Sequence, residues 1–190
     1  DVCSSDLVDQ DSRGRLQALR GQLEQMGKTL HHVAWELRPA SMDEIGLAHV
    51  LSNYIAEWGS RFGIEADFHC EAAQLDDLTD EVRTTIYRVV QEGLTNIAKH
   101  ADTATGASIV VNRTDGLVQL TIDDNGAGFD VTESPEPGSL QRGRGLGLAG
   151  MRERLELIGG ELLIESTRGG GGTTIYARIP VQRDRKSTRL

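Results

Sequence analysis

Apolar residues spaced alternately by three and four positions predict a helix over residues 15–38. The stripe consists of Leu16, Leu19, Leu23, Met26, Leu30, Val33 and Leu37. Such spacing is typical of the seam of a coiled coil or helical bundle, and Pro39 ends the helix. Because a single amphipathic helix cannot bury its own stripe, it needs a partner. We expect a second chain to be that partner, although packing on the helix's own domain would also satisfy the pattern.

The rest of the chain predicts helices that alternate with short strands. Helical patterns cover 43–62, 78–101 and 148–158, and strand patterns cover 64–70, 107–113, 117–123, 161–166 and 173–179. The segment 126–145 is rich in Gly and Pro and lacks a period, which predicts a long loop. These elements predict an α/β fold, an α+β two-layer sandwich with helices on one face of a mixed sheet. We expect the stripe helix within 11–40, the domain over 41–180, and tails of non-native appearance at 1–10 and 181–190.

Composition and charge narrow the class of protein. Of the 190 residues, 38% are hydrophobic and 26% are charged, which is typical of a globular domain. The formal net charge of −9 argues against binding nucleic acid through bulk electrostatics. No apolar run is long enough to span a bilayer, and no signal peptide is visible. Two cysteines without metal-ligand spacing favour a reduced setting. We therefore expect a cytoplasmic fragment of a longer protein, which could itself be anchored in a membrane.

The predicted helix over 78–101 carries a row of polar residues that suits a nucleotide. Glu92, Asn96 and His100 recur every four residues and share one face, with Lys99 beside them. The Asn96 side-chain oxygen is a hard ligand suited to Mg²⁺. Lys99 or His100 could meet phosphate oxygens, and Glu92 could orient or deprotonate a water or an acceptor group. Taken alone, the row fits a solvated helix face equally well.

The segment Asp124-Asn125-Gly126-Ala127-Gly128 directly follows a predicted strand. A carboxylate at a strand end can accept a hydrogen bond from the adenine amino group. Gly126 and Gly128 would let the backbone approach the base with no Cβ in the way. The same residues are also common in ordinary turns, so this motif is ambiguous by itself.

A second glycine motif, GRGLGL at 143–148, opens the helix predicted at 148. Glycines before a helix N-terminus expose backbone N–H groups, and the helix dipole there favours anions such as a triphosphate. Arg142 and Arg144 add positive charge. The pattern is neither the dinucleotide fingerprint nor a P-loop, and a flexible linker is the alternative. Farther on, Gly172-Thr173-Thr174 could line the site or form a tight turn.

The order of these motifs resembles the ATPase superfamily of gyrase B, heat-shock chaperones and histidine kinases. Within it, QEGLTNIAKHA (91–101), DDNGAGFD (123–130) and GRGLGLAGMRERLELIGGEL (143–162) look like the sensor histidine kinases of the nitrate-sensor type. In addition, ELRPASMDEIGL (36–47) resembles the joint between the second dimerisation helix and the catalytic domain in that family. The resemblance covers roughly residues 15–180.

The resemblance implies a two-component kinase that transfers the γ-phosphate of ATP to a protein histidine, for relay to an aspartate of a response regulator receiver domain. It implies that Asn96 ligates Mg²⁺, that Glu92 assists transfer, and that Asp124 binds the adenine amino group. It also implies a homodimer through the helix 15–38. The implied ATP-binding residues are Asn96, Lys99, His100, Asp124, Gly126, Gly128, Arg144, Gly145, Leu146, Gly147, Leu148 and Thr173.

The phosphate acceptor of that family is a histidine followed by an acidic residue, a pair that is missing from this chain. The helix 15–38 resembles the second dimerisation helix, so we expect the acceptor helix upstream of it. His31 and His32 lie off the apolar stripe and are expected to be solvated. We therefore do not expect autophosphorylation by this chain alone. The alternatives are a non-catalytic, ATP-gated protein-interaction module and a serine/threonine kinase of the anti-sigma type.

Overall fold

The computed structural model describes residues 41–71, 75, 77–101, 103–114, 116–130, 146–169 and 171–181, with only the backbone described at Ser41 and Leu146. All of these residues belong to one compact unit that begins at Ala40. The predicted helix over 15–38, His31 and His32 lie outside the described residues, as do Arg144 and Gly145.

Helices and strands alternate along the described part of the chain. The helices are α1 (Ser41–Ile45), α2 (Leu47–Phe62), α3 (Asp80–His100) and α4 (Leu146–Leu157). The strands are β1 (Glu65–Cys70), β2 (Gly106–Thr114), β3 (Leu117–Asp124), β4 (Glu161–Ser166) and β5 (Thr173–Pro180).

The five strands form one mixed sheet in the order β1-β2-β3-β5-β4. β1 runs parallel to β2, and every other neighbouring pair is antiparallel. α2 packs on β1, α3 on β3 and α4 on β4. The core lies between the two layers, with Ile109, Leu120 and Ile122 from the sheet and Ile86 and Met151 from the helices all buried. The predicted α/β fold class is thereby confirmed.

Helix α3 carries residues of the site, and both of its ends are stabilised by capping or charged residues. Thr79 precedes it, and the Thr79 hydroxyl accepts a hydrogen bond from the Val82 amide at 3.4 Å. Acidic residues occupy the first turn, and Lys99 and His100 occupy the last turn. Each charge therefore complements the nearer end of the helix dipole. The apolar side of the helix, from Ile86 to Ile97, is buried against the sheet.

The main departure from the predicted boundaries occurs at a glycine. The predicted helix over 43–62 is interrupted at Gly46, whose φ of 81° lies in the left-handed region that an α-helix cannot use. Gly63, with φ of 68°, then ends α2, and its amide donates to the Gly59 carbonyl at 2.9 Å. Helix α4 begins at Leu146, earlier than predicted. Val181, just past the predicted end of the domain, is buried as well.

Candidate functional site

Two side chains on α3, Glu92 and Asn96, each carry a buried polar atom that has no hydrogen-bond partner among the described residues. Glu92 is only 4% exposed. The Glu92 Oε2 and Asn96 Nδ2 atoms are both buried and have no hydrogen-bond partner in the described part of the chain. A buried polar atom without a partner costs roughly 1–3 kcal/mol. A polar ligand that pairs with these two atoms would remove that cost.

The first turn of α4 lies directly against Glu92. A Cβ atom built on Gly147 would lie 1.8 Å from Glu92 Oε1 and 2.8 Å from Cδ. Glycine at this position therefore permits an approach that any other residue would prevent. The contact brings the polar row of α3 together with the start of α4, and the first N–H groups of a helix have no partner within the helix itself.

The protonation of Glu92 depends on opposing influences. Burial raises the pKa of Glu92, whereas the charges of Lys99 and Arg154 lower it. A raised pKa makes a carboxylate a better proton acceptor near neutral pH. Arg154 was not among the predicted site residues. It lies seven positions after Gly147 and hence on the same face of α4, which is the one signal that could have found it.

A second group of site residues surrounds Asp124 at the end of β3. Asp124 is 7% exposed, and its Oδ1 accepts a hydrogen bond from the Gly126 amide at 2.8 Å. Burial raises the pKa of Asp124, while hydrogen bonds from Gly126 and Thr173 lower it. Thr173 lies opposite Asp124 in the β3–β5 pairing. The result is an enclosed carboxylate able to accept a hydrogen bond from a ligand.

The glycines after Asp124 are required by contacts within the protein. A Cβ on Gly126 would lie 2.7 Å from Ala101 Cβ, where α3 ends. A Cβ on Gly128 would lie 2.2 Å from the Thr167 carbonyl oxygen, and the φ of Gly128 is 66°. The expected reason for these glycines was a close approach to the base. The structure adds the close approach of the turn to α3 and to the connection between β4 and β5.

The remaining predicted residues fall around these two groups. Lys99 and His100 are exposed in the last turn of α3. Leu148 is partly buried and packs against the core. The two groups are joined by α3, because Gly147 meets Glu92 in the body of that helix and Gly126 meets Ala101 at its C-terminal end.

The described residues contain no group of three or more His, Cys, Asp or Glu side chains that could hold a metal ion. Mg²⁺ does not require one, because it is commonly held by one or two protein oxygens together with substrate phosphates and waters. Asn96, partly buried on the same helix as Glu92, has an amide oxygen of the kind that this role requires. Nor does any helix among the described residues have the length and hydropathy needed to cross a bilayer.

A mixed sheet with helices on one face brings Glu92, Gly126 and Gly147 together along one helix, an arrangement that suits a nucleotide-binding domain. Residues 81–183 match the family described as histidine kinase-, DNA gyrase B-, and HSP90-like ATPase. The chain belongs to this family, so the family inferred from the sequence motifs is confirmed.

One relative points to a particular kind of protein within this family. The chain is 31% identical over 178 residues to the oxygen sensor histidine kinase NreB of Staphylococcus carnosus (strain TM300). The alignment covers 93% of this chain and 47% of the relative, so the chain spans about half the length of that protein.

Solved histidine kinases share the fold. The histidine kinase domain of the blue-light activated kinase from Erythrobacter litoralis EL346 has a TM-score of 0.54 at 24% identity, over 71% of this chain and 61% of that one. Full-length ShkA in complex with AMPPNP has a TM-score of 0.60 at 19% identity, over 90% of this chain and 39% of that one.

Proposed function

We propose that this chain is the ATP-binding catalytic region of a two-component sensor histidine kinase. It would transfer the γ-phosphate of ATP to a histidine on a dimerisation helix, for relay to an aspartate of a response regulator. The observation that carries the proposal is the pair of buried, unpartnered atoms on Glu92 and Asn96 beside the first turn of α4. The 31% identity to a sensor histidine kinase supports it.

The spacing along α3 suits a nucleoside triphosphate. Gly126 lies against Ala101, and Gly147 lies against Glu92, nine residues earlier in the helix. At 1.5 Å per residue these points are roughly 13 Å apart along the helix axis, comparable to the length of an extended nucleoside triphosphate. We assign the base to the Asp124 end and the phosphates to the Gly147 end.

At the base end, Asp124 accepts a hydrogen bond from the adenine amino group. Its burial makes that bond selective, because a base that offers an acceptor there would leave the carboxylate unpaired. Thr173 lines the same side, and its hydrogen bond to Asp124 holds the carboxylate in place. Gly126 and Gly128 shape the pocket.

At the phosphate end, Asn96 would hold Mg²⁺ through its amide oxygen, and the ion would supply positive charge to neutralise the phosphate oxygens. Lys99 and His100 contribute donors from the last turn of α3. Backbone N–H groups around Gly147 donate hydrogen bonds to phosphate oxygens. We assign Arg144, Gly145, Leu146 and Leu148 to phosphate binding as well, and the last two lie in the first turn of α4.

Glu92 assists transfer at the γ-phosphate. Its carboxylate orients the acceptor imidazole and accepts a proton from it, a role that its raised pKa favours. The acceptor histidine would come from a separate helix, and the helix 15–38 would mediate dimerisation in the intact protein. We place the reaction in the cytoplasm, where a response regulator receiver domain is the partner.

The base assignment can be tested by nucleotide binding. We expect Asp124→Ala to weaken ATP binding at least about tenfold, the loss of one hydrogen bond to a charged acceptor. Asp123→Ala is the matched control, because Asp123 is the exposed neighbour whose carboxylate accepts from the Thr174 hydroxyl. Equal affinities for the two variants would defeat the adenine assignment.

The metal assignment is tested by measuring the affinity for ATP with and without Mg²⁺, in the wild type and in Asn96→Ala.

Phosphotransfer can be tested by supplying the acceptor in trans. The chain is mixed with labelled ATP and a separate dimerisation helix that bears the acceptor histidine. We expect acid-labile label on that helix, and none with Asn96→Ala. Intact ATP binding without any label would instead favour the non-catalytic module, and acid-stable label would favour a serine/threonine kinase.

A further inference from the structure

The hydroxyl of Ser166, the last residue of β4, lies at the meeting point of three segments. It accepts a hydrogen bond from the Phe129 amide at 2.8 Å and donates to the Gly172 carbonyl at 2.9 Å. Its oxygen also lies 3.0 Å from the hydroxyl oxygen of Thr173. One partly buried side chain thus connects the segment after Asp124, the end of β4 and the start of β5.

These contacts hold one side of the pocket turn, by which we mean residues 125–129. Two backbone hydrogen bonds run in the same direction, from Gly172 N to Gly126 O at 3.1 Å and from Gly169 N to Ala127 O at 2.9 Å. Ser166 is the side chain that adds to them and reaches the far end of the turn at Phe129. The pocket turn therefore depends on the connection between β4 and β5 for its position.

The other side of the pocket turn is held independently. Asn125 Oδ1 accepts from the Thr105 and Gly106 amides at 2.9 and 3.0 Å, and Asn125 Nδ2 donates to the Thr105 hydroxyl at 2.9 Å. Removal of the Ser166 hydroxyl would thus release one side of the turn and leave its start fixed. The expected result is a displaced pocket rather than an unfolded one.

Ser166 also reaches Asp124 through Thr173. The Thr173 hydroxyl forms a hydrogen bond with the Asp124 carboxylate. Ser166 donates its hydrogen to the carbonyl of Gly172, the residue directly before Thr173, so the Thr173 hydrogen remains available for the Asp124 carboxylate. Ser166 thereby fixes the backbone at the start of β5 and holds Thr173 where its hydroxyl pairs with Asp124.

We propose that Ser166 is a positioning residue for base recognition, which acts through Thr173 and the pocket turn without touching the nucleotide. This inference rests on the proposed function, since it assumes that Asp124 binds the base. Its consequence is specific: Ser166 sets how strongly the site prefers a base with an amino group over one with an oxo group at the same position.

The test compares the affinities of ATP and inosine triphosphate, which carries an oxo group in place of the adenine amino group. We expect Ser166→Ala to weaken ATP binding about tenfold and to lower the ATP-to-inosine triphosphate preference at least about threefold. Ser166→Thr retains the hydroxyl and should restore most of the preference. Ser108→Ala is the matched control, because Ser108 is a partly buried strand serine on the opposite face of the sheet. A general loss of stability would weaken the binding of both nucleotides alike.

The role of Ser166 is overturned if Ser166→Ala keeps the wild-type affinity and base preference while Asp124→Ala loses ATP binding. That outcome leaves the proposed function standing. Absence of ATP binding by the wild type would overturn both. If Ser166→Ala does not fold, hydrogen exchange of the wild type decides the matter. Slow exchange of the Phe129 amide supports the contact, and exchange at the rate of an unprotected amide refutes it.

Discussion

Replacement of Gly147 by alanine tests whether the start of α4 is fitted to the Glu92 carboxylate. The new Cβ would lie 1.8 Å from Glu92 Oε1, 2.8 Å from Cδ and 3.3 Å from Cγ. Non-bonded carbon and oxygen atoms do not approach closer than about 3 Å, so the carboxylate has to move by more than ~1 Å. Because Glu92 is buried, it cannot simply swing into solvent.

Two effects of the substitution on stability oppose each other. Alanine in place of glycine favours a helix by about 1 kcal/mol in its interior and by less in the first turn. Overpacking in an enclosed site costs about 1–3 kcal/mol. The steric term is the larger, so we expect Gly147→Ala to lower the free energy of unfolding by about 1–2 kcal/mol. For a domain of this size that corresponds to a decrease in Tm of roughly 3–8 °C.

Gly150 supplies a matched control within the same helix. A Cβ there would meet only the flexible end of Arg154, at an ordinary contact distance of 3.6 Å. Gly150→Ala therefore retains the helix-propensity gain without the clash, and we expect it to raise Tm by about 2–4 °C. Thermal unfolding of both variants, monitored by circular dichroism, gives the comparison directly.

The same substitution should reduce transfer more than base binding. Displacement of Glu92 disturbs the phosphate end, so we expect the rate of phosphotransfer in trans to fall about tenfold or more, while the Asp124 end keeps its contribution to ATP affinity. Combining Gly147→Ala with Glu92→Ala, which removes the clashing atoms, should recover the lost stability. The reasoning is refuted if Gly147→Ala is as stable as Gly150→Ala and transfers phosphate at the wild-type rate.

Three further predictions concern the surroundings of the site. Burial raises the pKa of Glu92, so the stability that the protonated carboxyl contributes is fully present below the ordinary carboxyl pKa. This contribution is lost as the pH rises through the pKa of the folded state. Glu92→Gln should therefore have a higher Tm than the wild type near neutral pH and no advantage at about pH 4. A Cβ on Gly93 would lie 2.7 Å from Ile122 Cδ1, so Gly93→Ala should cost about 1–3 kcal/mol in chemical denaturation, and Ile122→Val, which removes that atom, should restore part of it. Burial, aided by Tyr87, raises the pKa of Tyr54 to about 12, so the contribution of this hydroxyl to stability is lost as the pH rises from about 10 through that value. Burial also raises the pKa of Tyr87, so ultraviolet titration should show late tyrosine ionisation that Tyr54→Phe reduces.

The sequence was sufficient for the order of elements and for the residues of the motifs. The period of α3 and the alternation in β1 depend on local spacing alone, so the pattern of apolar residues predicts them. The interruption at Gly46 could not be predicted in the same way. A glycine inside a helical pattern is usually tolerated, and the spacing of apolar residues does not show that Gly46 adopts a positive φ.

The sequence was less informative about the setting of each site residue. Glu92 could equally have been solvated, because its burial depends on α4, which lies more than fifty residues later in the chain. Arg154 and Ser166 were missed for a related reason. Each has polar neighbours that look the same in the sequence, and only the packing of α4 on α3 or the β4–β5 register gives it a partner. Apart from the spacing between Gly147 and Arg154, the local sequence gives no signal of these contacts.

Close packing around α3 is what unites the two halves of the site. Three glycines permit it: Gly93 admits Ile122, Gly126 meets Ala101, and Gly147 meets Glu92. In each case the space for a Cβ is already occupied by another part of the protein. The distance between the base end and the phosphate end is therefore set by one rigid helix and by the backbone that lies against it. A methyl group at any of the three positions would change the geometry of the site without removing a residue that binds the nucleotide. The reason is that the backbone or the opposing side chain would have to move.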